Sequence, residues 1–229
     1  MAQEITAPRA DVLPDTAKVT KTLLACGIAA APVFIVLVGW QMLIRDGFDL
    51  RRHPISLLST GDLGWIQVTA FVASGLLSVA FAVGIRRALH PGRAGTWGPL
   101  LIALYGLGLI AGGVFVADPA LGFPPGAPEG IPQQISWHAA IHGFAPPIAF
   151  NALIVACFVF TRRFVGLRQR GWTIYTLATA VVTLAFASWP TMAGISWRLA
   201  VAVTLAFVWE AALAARLSSE LTGKSHWLP

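Results

Sequence analysis

The sequence predicts an all-α, polytopic membrane protein: a six-transmembrane-helix bundle with the N and C termini cytoplasmic. Three observations carry this. Of 229 residues, 56% are hydrophobic and only 11% charged, with a mean hydropathy of +0.72, whereas a soluble domain carries about 25% charged residues. Six apolar segments reach the roughly 20 helical residues that a bilayer core about 30 Å thick requires. The basic residues alternate from one connector to the next, as the two sides of a membrane demand.

Taken in order, residues 1–21 mix acids, bases and prolines without periodicity. They lack the basic start and apolar core of a cleaved signal peptide and read as a flexible cytoplasmic tail. The spans are Thr22–Ile44, Leu63–Leu89, Trp97–Ala117, His138–Thr161, Gly171–Met192 and Ser196–Leu217, which together make one transmembrane domain, 22–217. Residues 218–229 form a cytoplasmic C-terminal tail. The connectors are short, so consecutive helices are expected to be antiparallel neighbours.

The N-terminal tail holds Arg9, Lys18 and Lys21, the second connector Arg86, Arg87 and Arg93, and the fourth Arg162, Arg163, Arg168 and Arg170. The C-terminal tail adds Arg216 and Lys224, leaving only Arg45, Arg51, Arg52 and Arg198 on the opposite side. Positive residues stay inside, so both termini are assigned to the cytoplasm of a multi-pass protein of the cell inner (plasma) membrane. The net charge of +6 follows this topology. It does not mark a nucleic-acid partner.

Trp40, Trp65, Trp97, Trp137, Trp172, Trp189 and Trp197 fall near span ends and read as an aromatic belt. Gly106, Gly108, Gly112 and Gly113 allow close helix approach. Cys26 and Cys157 lie in apolar runs and form neither a disulfide framework nor a CxxC motif. No motif recurs between halves, which argues against a transporter built on inverted repeats.

The polar residues gather at one membrane face. The first connector carries His53, Ser56, Ser59, Thr60 and Asp62, and the third runs from Asp118 through a proline- and glycine-rich stretch to His138 and His142. His138 and His142 stand at i, i+4, a spacing that puts both imidazoles on one helix face and can hold a metal. With His53 or Asp118 as a third ligand, such a centre would activate water at neutral pH. Each residue also has an ordinary structural use. Ser136 can cap the fourth span, Asp62 the second, Asp118-Pro119 can end the third, and His142 can bond a neighbouring helix. The Pro/Gly stretch reads equally as a stiff lid and as a solvated loop. Within the spans, Glu210 is expected to face the bundle and to be protonated or find a partner, a Ser or Thr such as Thr179 or Thr183. Asn151 and Pro146-Pro147 mark a kink.

The tracts HPISLLSTGDLGWIQ, FVASGLLSVAFAVGIRRAL, GGVFVADPALGFPPG and SWHAAIHGFAPPIAF resemble the bacterial and archaeal integral-membrane family called domain of unknown function 998. The most specific pieces are His53-x-x-Ser56 with Gly64-Trp65-x-Gln67, and Phe115-x-x-Asp118-Pro119 followed by His138. The resemblance implies six spans and no particular chemistry. A looser analogy is to the membrane hydrolases of the alkaline ceramidase and adiponectin-receptor type, which combine Ser, His, Asp and an HxxxH pair around zinc. Those have seven spans, with HxxxH in the last.

The leading functional expectation is a zinc-dependent hydrolase or lipid-modifying enzyme with its site at the outer face. His53, His138 and His142 would be metal ligands, Asp118 ligand or base, and Ser56 would orient water, acting on a membrane lipid or amphiphilic small molecule. The alternatives are a non-enzymatic protein that binds a lipid, quinone or small amphiphile, and haem ligation by two histidines.

Overall fold

A computed structural model describes residues 12–188 and 194–225. Among them the chain folds as six α-helices: α1 Val12–Ile44, α2 Gly64–Leu89, α3 Arg93–Val114, α4 Trp137–Gly166, α5 Arg170–Ala187 and α6 Ile195–Ser225. A short 3₁₀ helix, Ile55–Ser59, lies in the first connector. Each helix packs on the next in chain order, and α6 closes on α1, so the six form a ring. Antiparallel neighbours are thus what the short connectors produce.

Three boundaries within the described residues differ from expectation by five residues or more, one of them the end of α4 at Gly166 where Thr161 is expected. α1 begins at Val12, so residues 12–21 are helical and not a loose tail. Pro14 falls in the first turn, where its missing N–H is not needed. α6 continues to Ser225, beyond the expected end at Leu217. Residues 1–11, Trp189 and the C-terminal end of the expected fifth span lie outside the described residues.

The distribution of side chains is that of a protein dissolved in lipid. Large apolar groups such as Val36, Leu43, Leu76, Leu107, Ile174 and Val181 are exposed. Polar groups, namely Gln41, Gln67, Ser74, Ser78, Thr176, Thr183 and Glu210, are buried inside the ring. Lipid tails accept apolar surface and cannot satisfy hydrogen bonds, which inverts the soluble pattern. The amides of Gln41 and Gln67 meet at 2.9 Å, and Trp209 Nε1 donates to Thr176 Oγ1 at 3.3 Å.

Five helices are long and apolar enough to cross a membrane. α5 has 18 residues and opens on the polar stretch from Arg170 to Thr173; at 1.5 Å per residue it rises about 27 Å, close to the thickness of the hydrocarbon core. Trp40, Trp65, Trp97, Trp137 and Trp197 are exposed at helix ends, as a belt at the headgroup level requires.

Small residues set the helix spacing. A Cβ at Gly75 would come within 2.6 Å of the Gly106 carbonyl, and one at Gly106 within 2.7 Å of the Gly75 carbonyl. α2 and α3 therefore touch backbone to backbone. On the other side of α3, a Cβ at Gly108 would lie 2.8 Å from that of Ala149 on α4.

The start of α1 and the ends of α2, α4 and α6 share one end of the ring. Arg87 Nε donates to Thr20 Oγ1 at 3.2 Å, and Arg163 Nη2 bonds Glu220 at 2.9 Å. This puts the N-terminal start of α1 and the C-terminal end of α6 on the same side, which the arginine distribution assigns to the cytoplasm. The opposite end, called outer below, carries the first and third connectors.

Candidate site at the outer end of the bundle

Arg45 follows α1 directly and organises the first connector. Its Nη1 donates to Leu58 O at 3.0 Å and its Nη2 to Thr60 O at 2.6 Å, while its guanidinium lies 4.9 Å from the Phe123 ring centroid. A cation stacked on an aromatic face and bonded to two carbonyls has replaced much of its hydration. Arg45 thereby joins the first connector to the third.

His53 makes the same join. It is only 3% exposed and sits between Phe48 and Phe123. Its Nδ1 accepts from Asp49 N–H at 2.9 Å, and its Nε2–H donates to Leu121 O at 3.0 Å. The tautomer follows because one partner is a donor and the other an acceptor. Both ring nitrogens are thus engaged, and the expected metal ligand serves as a clamp. Leu121 takes φ +60°, a conformation disfavoured for a side chain with a Cβ, with Gly122 beside it at φ +82°. The turn aims the Leu121 carbonyl at the imidazole.

The third connector is folded. Ala120 and Phe123 exchange backbone hydrogen bonds, Gly122 N–H donates to Pro128 O, and Leu121 N–H to Gly130 O. Phe123 is fully buried in the floor of the first connector, and Arg52 pairs with Glu129 above it.

Asp118 and His138 do meet, through Ser136. Asp118 accepts from Ser136 N–H at 2.8 Å and from Ser136 Oγ–H at 2.6 Å. His138 Nδ1 lies 3.1 Å from the same Oγ, which also caps α4 by accepting from Ala139 N–H. Since the hydroxyl proton points to Asp118, Nδ1–H is the donor to it. The two hydrogen bonds from Ser136 hold the Asp118 carboxyl below its usual range, with His138 adding a smaller effect of the same sign. The order Asp–Ser–His differs from a nucleophilic triad, in which the histidine stands in the middle.

His142 turns the other way. Although i+4 from the exposed His138, it is only 7% exposed and reaches α3, where its Nδ1 lies 3.0 Å from Gly112 O and 2.8 Å from Phe115 O. Both partners only accept, so Nδ1 carries the proton and caps carbonyls at the C-terminus of α3. Nε2 has no partner among the described residues. The shared face expected from the spacing is therefore split: His138 looks to solvent and His142 to α3. Among the described residues no three of His, Cys, Asp and Glu are grouped to hold a metal. His53, His138 and His142 occupy three separate settings, because helix packing engages each with a different neighbour.

Ser56 and His142 do share a setting. Both line a narrow cavity of about 80 Å³ whose other walls are apolar, including Phe71, Leu109, Ala145, Ala149 and Val203. Tyr105 forms its deeper end, seven residues or about 10 Å along α3 from Gly112. The Tyr105 hydroxyl is buried without a partner among the described residues. Four helices, α2, α3, α4 and α6, and the 3₁₀ segment create this space by meeting at small side chains. The sequence shows those residues and cannot show the gap.

The two intramembrane polar residues lie elsewhere. Asn151 is exposed on α4 and its Nδ2 donates to Pro147 O at 2.8 Å, a local bond beside the two prolines. Glu210 is fully buried, and its Oε2 accepts from Ser78 Oγ–H at 3.0 Å. The expected partners are otherwise disposed: Thr179 donates to Tyr175 O, and the Thr183 hydroxyl is unpartnered among the described residues.

No curated protein and no solved structure matches the chain. A family model does, with the description "Protein of unknown function (DUF998)", over residues 28–218, from the first span into the last. Six packed helices, apolar on the outside and joined at the outer end by the His53, Asp118 and His138 tracts, accompany that match, and the chain belongs to this family.

Proposed function

We propose that this multi-pass membrane protein binds a slim amphiphile in the outer-half cavity, with a hydroxyl as its polar end. The carrying observation is that Ser56 and His142 border one apolar cavity while neither Ser56 Oγ nor His142 Nε2 has a hydrogen-bond partner among the described residues. A hydroxyl between them donates to His142 Nε2 and accepts from Ser56 Oγ–H, so both groups are satisfied at once. The apolar walls then receive the carbons next to the hydroxyl, and the rest of the aliphatic chain runs out of the cavity into lipid. The narrowness favours a fatty or isoprenoid alcohol over a macrocycle such as haem.

The test is equilibrium binding of farnesol to the full chain in detergent. Saturable binding is expected, weakened about tenfold or more in His142→Ala, since a buried hydrogen bond is worth about 1–2 kcal/mol. Gly112→Phe, at a lining position where an added Cβ meets nothing within 4 Å, fills the space and is expected to abolish it. Absence of saturable binding, or indifference to both substitutions, rejects the reading.

The hydrolytic reading rests on the same pair, since a hydroxyl and an imidazole on one cavity wall are also the ingredients of acyl transfer. Incubation with farnesyl acetate separates the two. Release of acetate that is lost in Ser56→Ala supports an enzyme, and an intact ester supports binding alone.

A further inference from the structure

A second concave site lies at the opposite end of the ring, remote from the cavity just described. Its walls are the end of α2, the start of α3 and the end of α4, and its volume is about 580 Å³. Three arginines line it: Arg93 from α3 and Arg162 and Arg163 from α4. Arg163 is paired with Glu220 at 2.9 Å but keeps a buried Nε–H without a partner among the described residues. Arg93 and Arg162 are exposed, and neither has an ion pair or hydrogen bond among the described residues. The rest of the lining is apolar, with Val159, Leu89 and the exposed Trp97.

Unneutralised guanidinium groups over apolar walls, beside an interfacial tryptophan, form an amphipathic recess at the headgroup level. Guanidinium groups recognise phosphate by paired N–H donors, and the recess offers them from two helices. The first turn of α3 adds backbone N–H groups, because its N-cap Gly92 has no side-chain acceptor. Scattered basic residues on a cytoplasmic face attract anionic lipids in general. This recess goes further, since it fixes both the charge and a hydrocarbon surface in one place.

We propose that the α2–α3–α4 recess is a binding site for the phosphate headgroup of an anionic phospholipid, seated on Arg93, Arg162 and Arg163 with its glycerol and upper acyl segment against Trp97 and Val159. The site is independent of the alcohol-binding cavity.

Native mass spectrometry of the delipidated full chain in a nonionic detergent tests it, with dioleoylphosphatidylglycerol and dioleoylphosphatidylcholine as probes. Phosphatidylglycerol is expected to bind at least tenfold more tightly. Arg93→Gln/Arg162→Gln is expected to reduce its affinity about 30-fold, at roughly the strength of two surface basic residues. Arg168→Gln/Arg170→Gln removes the same charge from outside the recess and is expected to leave the preference intact. Equal affinity for the two lipids overturns the proposal. So does a preference that survives the first pair or is lost equally with the second, since either makes it a property of the whole face. Displacement of the lipid by inorganic phosphate at equal concentration overturns the assignment to a lipid and gives the recess to free phosphate.

Discussion

Ser136 does three things with one hydroxyl: it donates to Asp118, accepts from Ala139 N–H and meets His138. Asp118 and Ser136 thereby close the third connector at its base. The carboxyl is held below its ordinary value of 3.8. A depressed carboxyl contributes stability that is complete above the unfolded pKa and lost as pH falls through the folded one. Limited proteolysis of residues 119–135 is therefore expected to stay slow from neutral pH to below pH 3.8 in the native chain. In Asp118→Asn, cleavage is expected to be faster at neutral pH and to have lost its acid limb, so that the two rates converge once pH falls through the folded pKa of the native carboxyl. Equal rates for the two proteins at neutral pH would refute the clip. Glu210 is the residue-scale counterpart inside the membrane. Removing its donor by Ser78→Ala leaves a buried carboxyl with neither oxygen paired, and is expected to cost about 1–3 kcal/mol in thermal unfolding. Ser78→Ala/Glu210→Leu is expected to recover much of that loss, because removing both partners removes the unpaired group.

Among the elements, α2 and α3 depend on contact between Gly75 and Gly106, each of whose added Cβ would meet the other's carbonyl. Gly106→Val is expected to lower stability by about 1–3 kcal/mol or more, the range for overpacking, because backbone must move to admit it. Melting in detergent measures this. The sequence marked Gly106 as a close-approach residue, and periodicity alone suffices for that. It did not mark Gly75 as the facing residue, since the register between two helices is set by all of their side chains together. The connectors were less legible. His53 and Asp118 were placed at the correct level, but their partners Leu121 and Ser136 lie 68 and 18 residues away. Arg45 was missed as an organiser. The signal for it existed: an arginine on the outer side departs from the rule that keeps positive charge inside, and a departure of that kind points to a local partner.

At the scale of the whole molecule, a closed ring of six helices puts the apolar-walled cavity and the basic recess at opposite ends. The cavity lies beside the first connector and the basic recess beside the second. The orientation itself is testable. With Cys26 and Cys157 replaced by alanine, Gln134→Cys is expected to react with a membrane-impermeant maleimide added outside intact cells. Arg168→Cys is expected to react only after permeabilisation. The reverse pattern would invert the bundle and with it the assignment of both sites to their leaflets.

The sequence by itself determined that this chain is a helical membrane protein of six apolar segments, that its termini share one end of the bundle and which residues stand together near the other end. Length, hydropathy and the placement of charge carry those facts, and all of them are local or summed along the chain. Only the tertiary structure decided that His53 clamps a loop, that Asp118 binds Ser136, and that His142 turns to α3 and shares a cavity with Ser56. Those outcomes depend on angstrom-scale contacts between helices whose register no single segment encodes. Hydrogen-bonding groups buried in such packing take whichever partner it brings within reach.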